Sequence, residues 1–154
     1  MYIYGKLNTS EQIISAMALT DLGTEWIVMN SERPTTDGYI ADASGNWVED
    51  LLGEKNKAIS KLKEEAKKYQ EDRVGSTFYS LVLTESQMVS NNLIASAPKC
   101  QAVLQWCDNI IAEMDMRIGD VNVQTNLPIT TSYDFSSLGN PPYTYEECRI
   151  EANL

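Results

Sequence analysis

The chain has 154 residues, a net charge of −10 at pH 7 and no histidine. That length suits one domain, or a small head on a helical body, with enough chain to bury a core. Without histidine, Ser-His and Cys-His nucleophile pairs and mixed Cys/His zinc sites are excluded within the chain.

Hydrophobic residues make up 43% and charged residues 22%, the balance of a folded soluble protein. No apolar run approaches the roughly 18 residues of a membrane span. The opening MYIYGKLNTSE has neither the charged leader nor the apolar core of a secretory signal. The expectation is a cytoplasmic protein without membrane contact. Residues 1–50 and 100–154 are acidic and flank a near-neutral middle. No basic stripe is present to displace counterions from phosphate, so a nucleic-acid partner is not expected. The acidity reads as solubility, with a DNA-mimicking inhibitor of a nucleic-acid enzyme as the alternative.

In chain order, Met1–Leu7 predicts a short strand with Tyr2 and Tyr4 on one face. Ser10 is an N-cap candidate for a helix over EQIISAMAL, where Ile13, Ile14, Met17 and Ala18 share a face and Gly23 ends the segment. Glu25–Met29 is short, β-branched and aromatic, and predicts a strand. Pro34 and Gly38 mark a turn, after which Tyr39–Ala41 and Asn46–Val48 predict a hairpin around Asp42-Ala43-Ser44-Gly45.

From Leu51 the apolar period lengthens to about three and a half, through Leu52, Ile59, Leu62, Ala66 and Tyr69. This predicts a helix of about twenty residues that either joins copies of the chain as a short coiled coil or packs on its own neighbours. Thr84-Glu85-Ser86-Gln87 has the form of a capping box and predicts a second helix bearing Met88, Leu93, Ile94 and Ala97. Pro98 opens a third, with Val103, Leu104, Cys107, Ile110, Ile111, Met114 and Ile118 at helical spacing and Gly119 as its stop. Methionines 88, 114 and 116 read as core rather than as an adaptable groove. VNVQT alternates as a strand does. The last segment is rich in proline, hydroxyls and aromatics; either it wraps the body or it orders on a partner.

The expected fold is therefore α+β. A small N-terminal helix with a β-meander forms a head over 1–50. A three-helix body covers 51–119, and an irregular aromatic tail covers 120–154. The three cysteines, Cys100, Cys107 and Cys148, read as small buried apolar side chains rather than as disulfides or metal ligands. The carboxylate pairs Glu49/Asp50, Glu64/Glu65, Glu71/Asp72 and Glu146/Glu147 read as solvated surface rather than as a glycosidase pair. There is no glycine-rich phosphate loop. No enzymatic activity, cofactor or metal is expected.

One block carries more. Trp26, Met29, Arg33-Pro34, Tyr39-Ile40-Ala41 and Asp42-Ala43-Ser44-Gly45-Asn46-Trp47 form an M-x-x-x-R-P turn, a Y-x-A strand and a D-x-S-G-x-W hairpin. In this the chain resembles the small tail-fibre assembly and fibre-associated proteins of tailed bacteriophages. About a quarter of the chain matches by residue and about half by architecture, since a Lys/Glu-rich helical region follows there too. The resemblance implies a chaperone-like helper that binds the tip of a trimeric tail fibre in the host cytoplasm, and in some cases stays on the virion. Trp26, Arg33, Tyr39 and Trp47 are the candidate partner-binding residues, because Trp, Tyr and Arg dominate interface energies. The two tryptophans read equally well as cement for the core of the head. A structural component of the virion tail, with an oligomeric helical body, is the second reading.

Overall fold

The computed structural model describes residues 1–90 and 97–151. The class is α+β, and the described residues form five strands in two antiparallel sheets. The chain divides into two compact units: Met1–Ala58 with Val123–Thr130, and Ile59–Asn122 with Thr131–Leu154.

In the first unit, β1 (Tyr2–Lys6) is the central strand of a three-stranded sheet ordered β2-β1-β3, with β2 (Gln12–Ser15) and β3 (Trp26–Val28) at its edges. The register sets Tyr4 opposite both Ile13 and Val28, and Gly5 opposite Gln12 and Ile27. Segment 11–19 is thus a strand and a loop where a helix was expected. Two to three turns of isolated helix are marginal, and β-branched Ile13 and Ile14 gain a ladder along β1. Ser10 caps nothing; Thr9 holds the turn, its hydroxyl donating to the Lys6 carbonyl and accepting from the Glu11 N–H. Tyr4 is buried, and its hydroxyl accepts the Leu19 N–H at 2.9 Å, drawing the following loop over that face.

The predicted hairpin is present as β4 (Tyr39–Ala41) and β5 (Trp47–Glu49). Asp42 fastens its turn, with Oδ1 accepting the N–H groups of Ser44 and Asn46, each at 2.9 Å. Gly45 adopts φ 82°, and a Cβ there would stand 2.6 Å from the Val28 carbonyl oxygen. The core of this unit is small: Tyr4, Met29, Ala41 and Ala58 are its buried apolar residues.

The second unit is helical. α1 (Leu51–Ser90) contains a break at Gly75, with φ 73° and ψ 156°. Only glycine adopts that conformation readily, so Gly75 ends the helix predicted from Leu51. The next helical segment follows directly, and Thr84 lies inside it rather than capping a start. The backbone at 84 already has helical neighbours, so the capping-box pattern has no orphan N–H to serve. Leu93 and Ile94 lie outside the described residues. Leu62 and Ala66 of the predicted seam are buried, but Leu52 is 69% exposed.

α2 (Pro98–Asn122) buries Cys100, Val103, Trp106, Cys107, Ile110 and Val121. It runs through Gly119 and absorbs the start of VNVQT, so no strand forms there. Glycine lowers helix stability by only about 1 kcal/mol, and buried Val121 holds the extra turn.

The tail wraps the unit instead of standing free. A 3-10 turn at Ser136–Leu138 and α3 (Tyr145–Glu151) interrupt its irregular path, and Phe135 and Cys148 are buried. Trp106 Nε1 donates to the carbonyls of Leu138 and Gly139, and the Tyr69 hydroxyl donates to Gly139 O at 2.7 Å. Arg117 donates to the Ser132 and Asp134 carbonyls and lies 4.4 Å from the centre of the Phe135 ring.

Two predictions follow from these cores. Gly5→Ala would place a Cβ 2.7 Å from Met29 Sδ and 2.9 Å from Ala41 Cβ. It is expected to cost about 1–3 kcal/mol in urea unfolding; an unchanged midpoint would mean that the two sheets separate freely. All three cysteines are free and buried. Burial, aided by Asp108, pushes the Cys107 thiol up to about 11; burial, aided by Cys100, pushes Cys148 up to about 12. Raised folded values favour the native state below the unfolded thiol pKa of about 8.5, and that contribution is lost as pH rises toward the folded values. Urea midpoints should therefore fall above about pH 9, and replacing both cysteines by alanine should flatten that part of the fall.

Candidate functional site

The first unit contains a cleft of about 540 Å³. One wall is the connection after β1. There Asn8 takes the left-handed conformation at φ 60°, one that asparagine tolerates better than most residues. This wall is stitched to β4: the Asn8 N–H donates to Ala41 O, and the Ala41 N–H donates to Thr9 O, both at 2.9 Å. The opposite wall is the turn Thr36-Asp37-Gly38 with Tyr39, the first residue of β4, and the floor is the first turns of α1.

Gly38 is required at the join. Its φ is 102°, and a Cβ would meet both Glu54 Cγ and Leu127 Cδ1 at 2.7 Å. The Asp50 N–H donates to Gly38 O at 2.7 Å, while Asp50 Oδ1 accepts the Gly53 N–H at 3.1 Å. Asp50 is thus the N-cap of α1 and the tie between helix and turn.

The charges of the cleft largely answer one another. Glu54 pairs with Lys57 at 2.8 Å. That hydrogen bond and charge, with smaller contributions from Asp50 and Asp37, hold the Lys57 ammonium above its usual range. The Arg33 guanidinium donates from Nη1 to Ser10 O at 2.7 Å, and the Arg33 N–H donates to Gln12 Oε1 at 2.7 Å. The Tyr39 hydroxyl donates to Glu49 Oε1 at 3.2 Å; desolvation first, and Glu49 second, raise its pKa.

Of the four candidate residues, the fold brings Arg33 and Tyr39 into this cleft and leaves both tryptophans out of it. Trp26 pairs with Lys6 on the sheet face that carries Tyr4. Trp47 lies on β5, its indole N–H donating to Ser31 O at 3.0 Å. All four are half-buried and none is fully exposed. Asn8 carries no signal of its own in the sequence, Ser10 reads there as a helix N-cap, and Thr36 and Asp37 read as turn residues. No periodicity marks them, because the fold alone brings these two loops together.

Comparison with known proteins finds no matching family model, no curated relative and no matching solved structure. Among the described residues, no three of His, Cys, Asp and Glu are grouped to hold a metal ion. No described helix is long and apolar enough to cross a membrane.

The bonds of Arg33 and Trp47 point to work inside the head. Arg33→Ala and Trp47→Phe should each lower stability by about 1 kcal/mol in urea unfolding, since each removes a donor to a backbone carbonyl. Unchanged midpoints would release both side chains from this structural duty.

Proposed function

We propose that this is a non-enzymatic bacteriophage protein that binds a tail fibre and assists its assembly in the host cytoplasm. The observation that carries the reading is the edge strand β2. It is an outer strand of its sheet, Ile14 within it is 43% exposed, and Met17 just beyond its end is 75% exposed.

The Lys6 N–H donates to Glu11 O, so alternation turns Glu11, Ile13 and Ser15 toward β1 and the backbone groups of Gln12 and Ile14 outward. Such an edge accepts an extended segment as an added strand, with main-chain bonds giving affinity and alternate side chains giving selectivity. A fibre that is still trimerising presents strand edges and apolar surface, which aggregate unless covered. The resemblance over Trp26–Trp47 supports the same reading from the adjoining chain.

This docking mode shifts the expected contacts. Arg33 belongs to it as a support, because its N–H holds the Gln12 side chain at the start of β2. Tyr39 bonds Glu49 within the hairpin and Trp47 bonds the Ser31 carbonyl, so neither lies on this edge.

The test is co-purification of the neighbouring fibre protein with the wild type and with Ile14→Pro. Proline removes an outward N–H and leaves the β1–β2 ladder intact, so the circular dichroism spectrum should persist. Fibre capture should fall about tenfold or more. Equal capture by both proteins would discard the edge-strand reading, and presence of the protein in washed particles would favour a virion component over an assembly factor.

A further inference from the structure

The cleft in the head has a chemistry that strand pairing does not use. We infer that it is a binding site for a neutral, hydroxyl-rich ligand of mono- or disaccharide size. The inference does not rest on the fibre reading, which concerns the β2 edge.

Its volume of about 540 Å³ lies within the roughly 300–1,000 Å³ of small-ligand sites. The lining residues carry three carboxylates and two cations. Asp50 is committed to capping α1, Glu54 to Lys57, and Arg33 to Ser10 O. What stays available is polar and nearly balanced. The side chains of Asn8, Ser10, Thr36 and Asp37 make no hydrogen bond among the described residues. Together they offer amide and hydroxyl groups that both donate and accept, and one carboxylate that accepts two-handed. Vicinal hydroxyls of a sugar need that mixture. Tyr39 is the one aromatic among the described lining residues, and an aromatic ring suits the apolar C–H face of a pyranose.

Other ligand classes fit less well. Three carboxylates oppose a phosphate or other anion, and two cations oppose a simple metal or ammonium ion. Among the described residues Ile40 is the only large aliphatic one in the lining, a poor match for a peptide's apolar side chains. Two of the three carboxylates are already engaged, which points to binding rather than to paired acid–base hydrolysis.

The experiment uses the full chain on a printed array of neutral and anionic bacterial mono- and oligosaccharides. Saturation-transfer NMR then follows, at ligand concentrations on the order of 10 mM. At least one neutral saccharide should bind, with signals that persist at roughly 0.5 M salt, since no net charge is exchanged. Thr36→Ala and Asp37→Asn should each weaken binding about fivefold to tenfold. Their thermal midpoints should match the wild type, because neither side chain serves the fold. Any one of three results overturns the inference: no neutral saccharide binds, binding is equal in both variants, or only inorganic phosphate and anionic sugars bind and salt abolishes the signal.

Discussion

The missing side chain at Gly5 governs the head. Gly5 is the last residue but one of the central strand, and its face of the sheet is where Met29 and Ala41 close in. With nothing beyond a Cα there, β4 can lie close enough for Ala41 to exchange hydrogen bonds with residues 8 and 9. That contact sets the rest in sequence. β4 carries Tyr39 to the cleft, Gly38 turns its carbonyl to Asp50, and Asp50 starts the first long helix. Two sheets of three and two short strands would each be marginal alone; the contact at Gly5 makes them one small core.

A different constraint orders the second unit. The stretch between Thr131 and Thr144 has little regular structure, so its carbonyls need donors from elsewhere. The helices supply them from amphipathic side chains. Tyr69 and Trp106 place rings against the apolar interior, 6.0 Å between centroids, and spend their polar tips on the carbonyls of residues 138 and 139. Arg117 does the same for residues 132 and 134 while stacking on Phe135. Tyr69 also has the Arg73 guanidinium 3.5 Å from its own ring centre, a cation–π contact. Phe135 is the tail aromatic that this packing buries, whereas Tyr145 stays 44% exposed.

The hairpin and the third helix were legible because local patterns dominate there. Asp-Ala-Ser-Gly needs one positive φ and one acceptor, and it has Gly45 and Asp42; α2 shows its buried stripe plainly. Segment 11–19 was misread because its apolar spacing fits a helix as well as an edge strand. Only the presence of β1 decides between them. The bend at Gly75 was missed because a lone glycine between charged and apolar residues carries no helical period to interrupt. The cleft was half legible: Arg33 and Tyr39 stood out by residue type, whereas Asn8 and Asp37 acquire meaning only when two loops meet.

The β2 edge and the cleft share a wall, and Arg33 is its mortar. Its N–H fixes the side chain of Gln12, the first residue of the edge strand, and its guanidinium fixes the carbonyl of Ser10 inside the cleft. Shared support is not coupling. Two sites influence each other only when an element between them has two arrangements of different affinity. The wall here is held by backbone bonds to β4 as well as by Arg33, so one arrangement is heavily determined. An extended segment on β2 and a small ligand in the cleft would therefore bind side by side without cooperativity. Only an occupant that drew the guanidinium away from Ser10 would loosen residues 8–12 and let one surface sense the other.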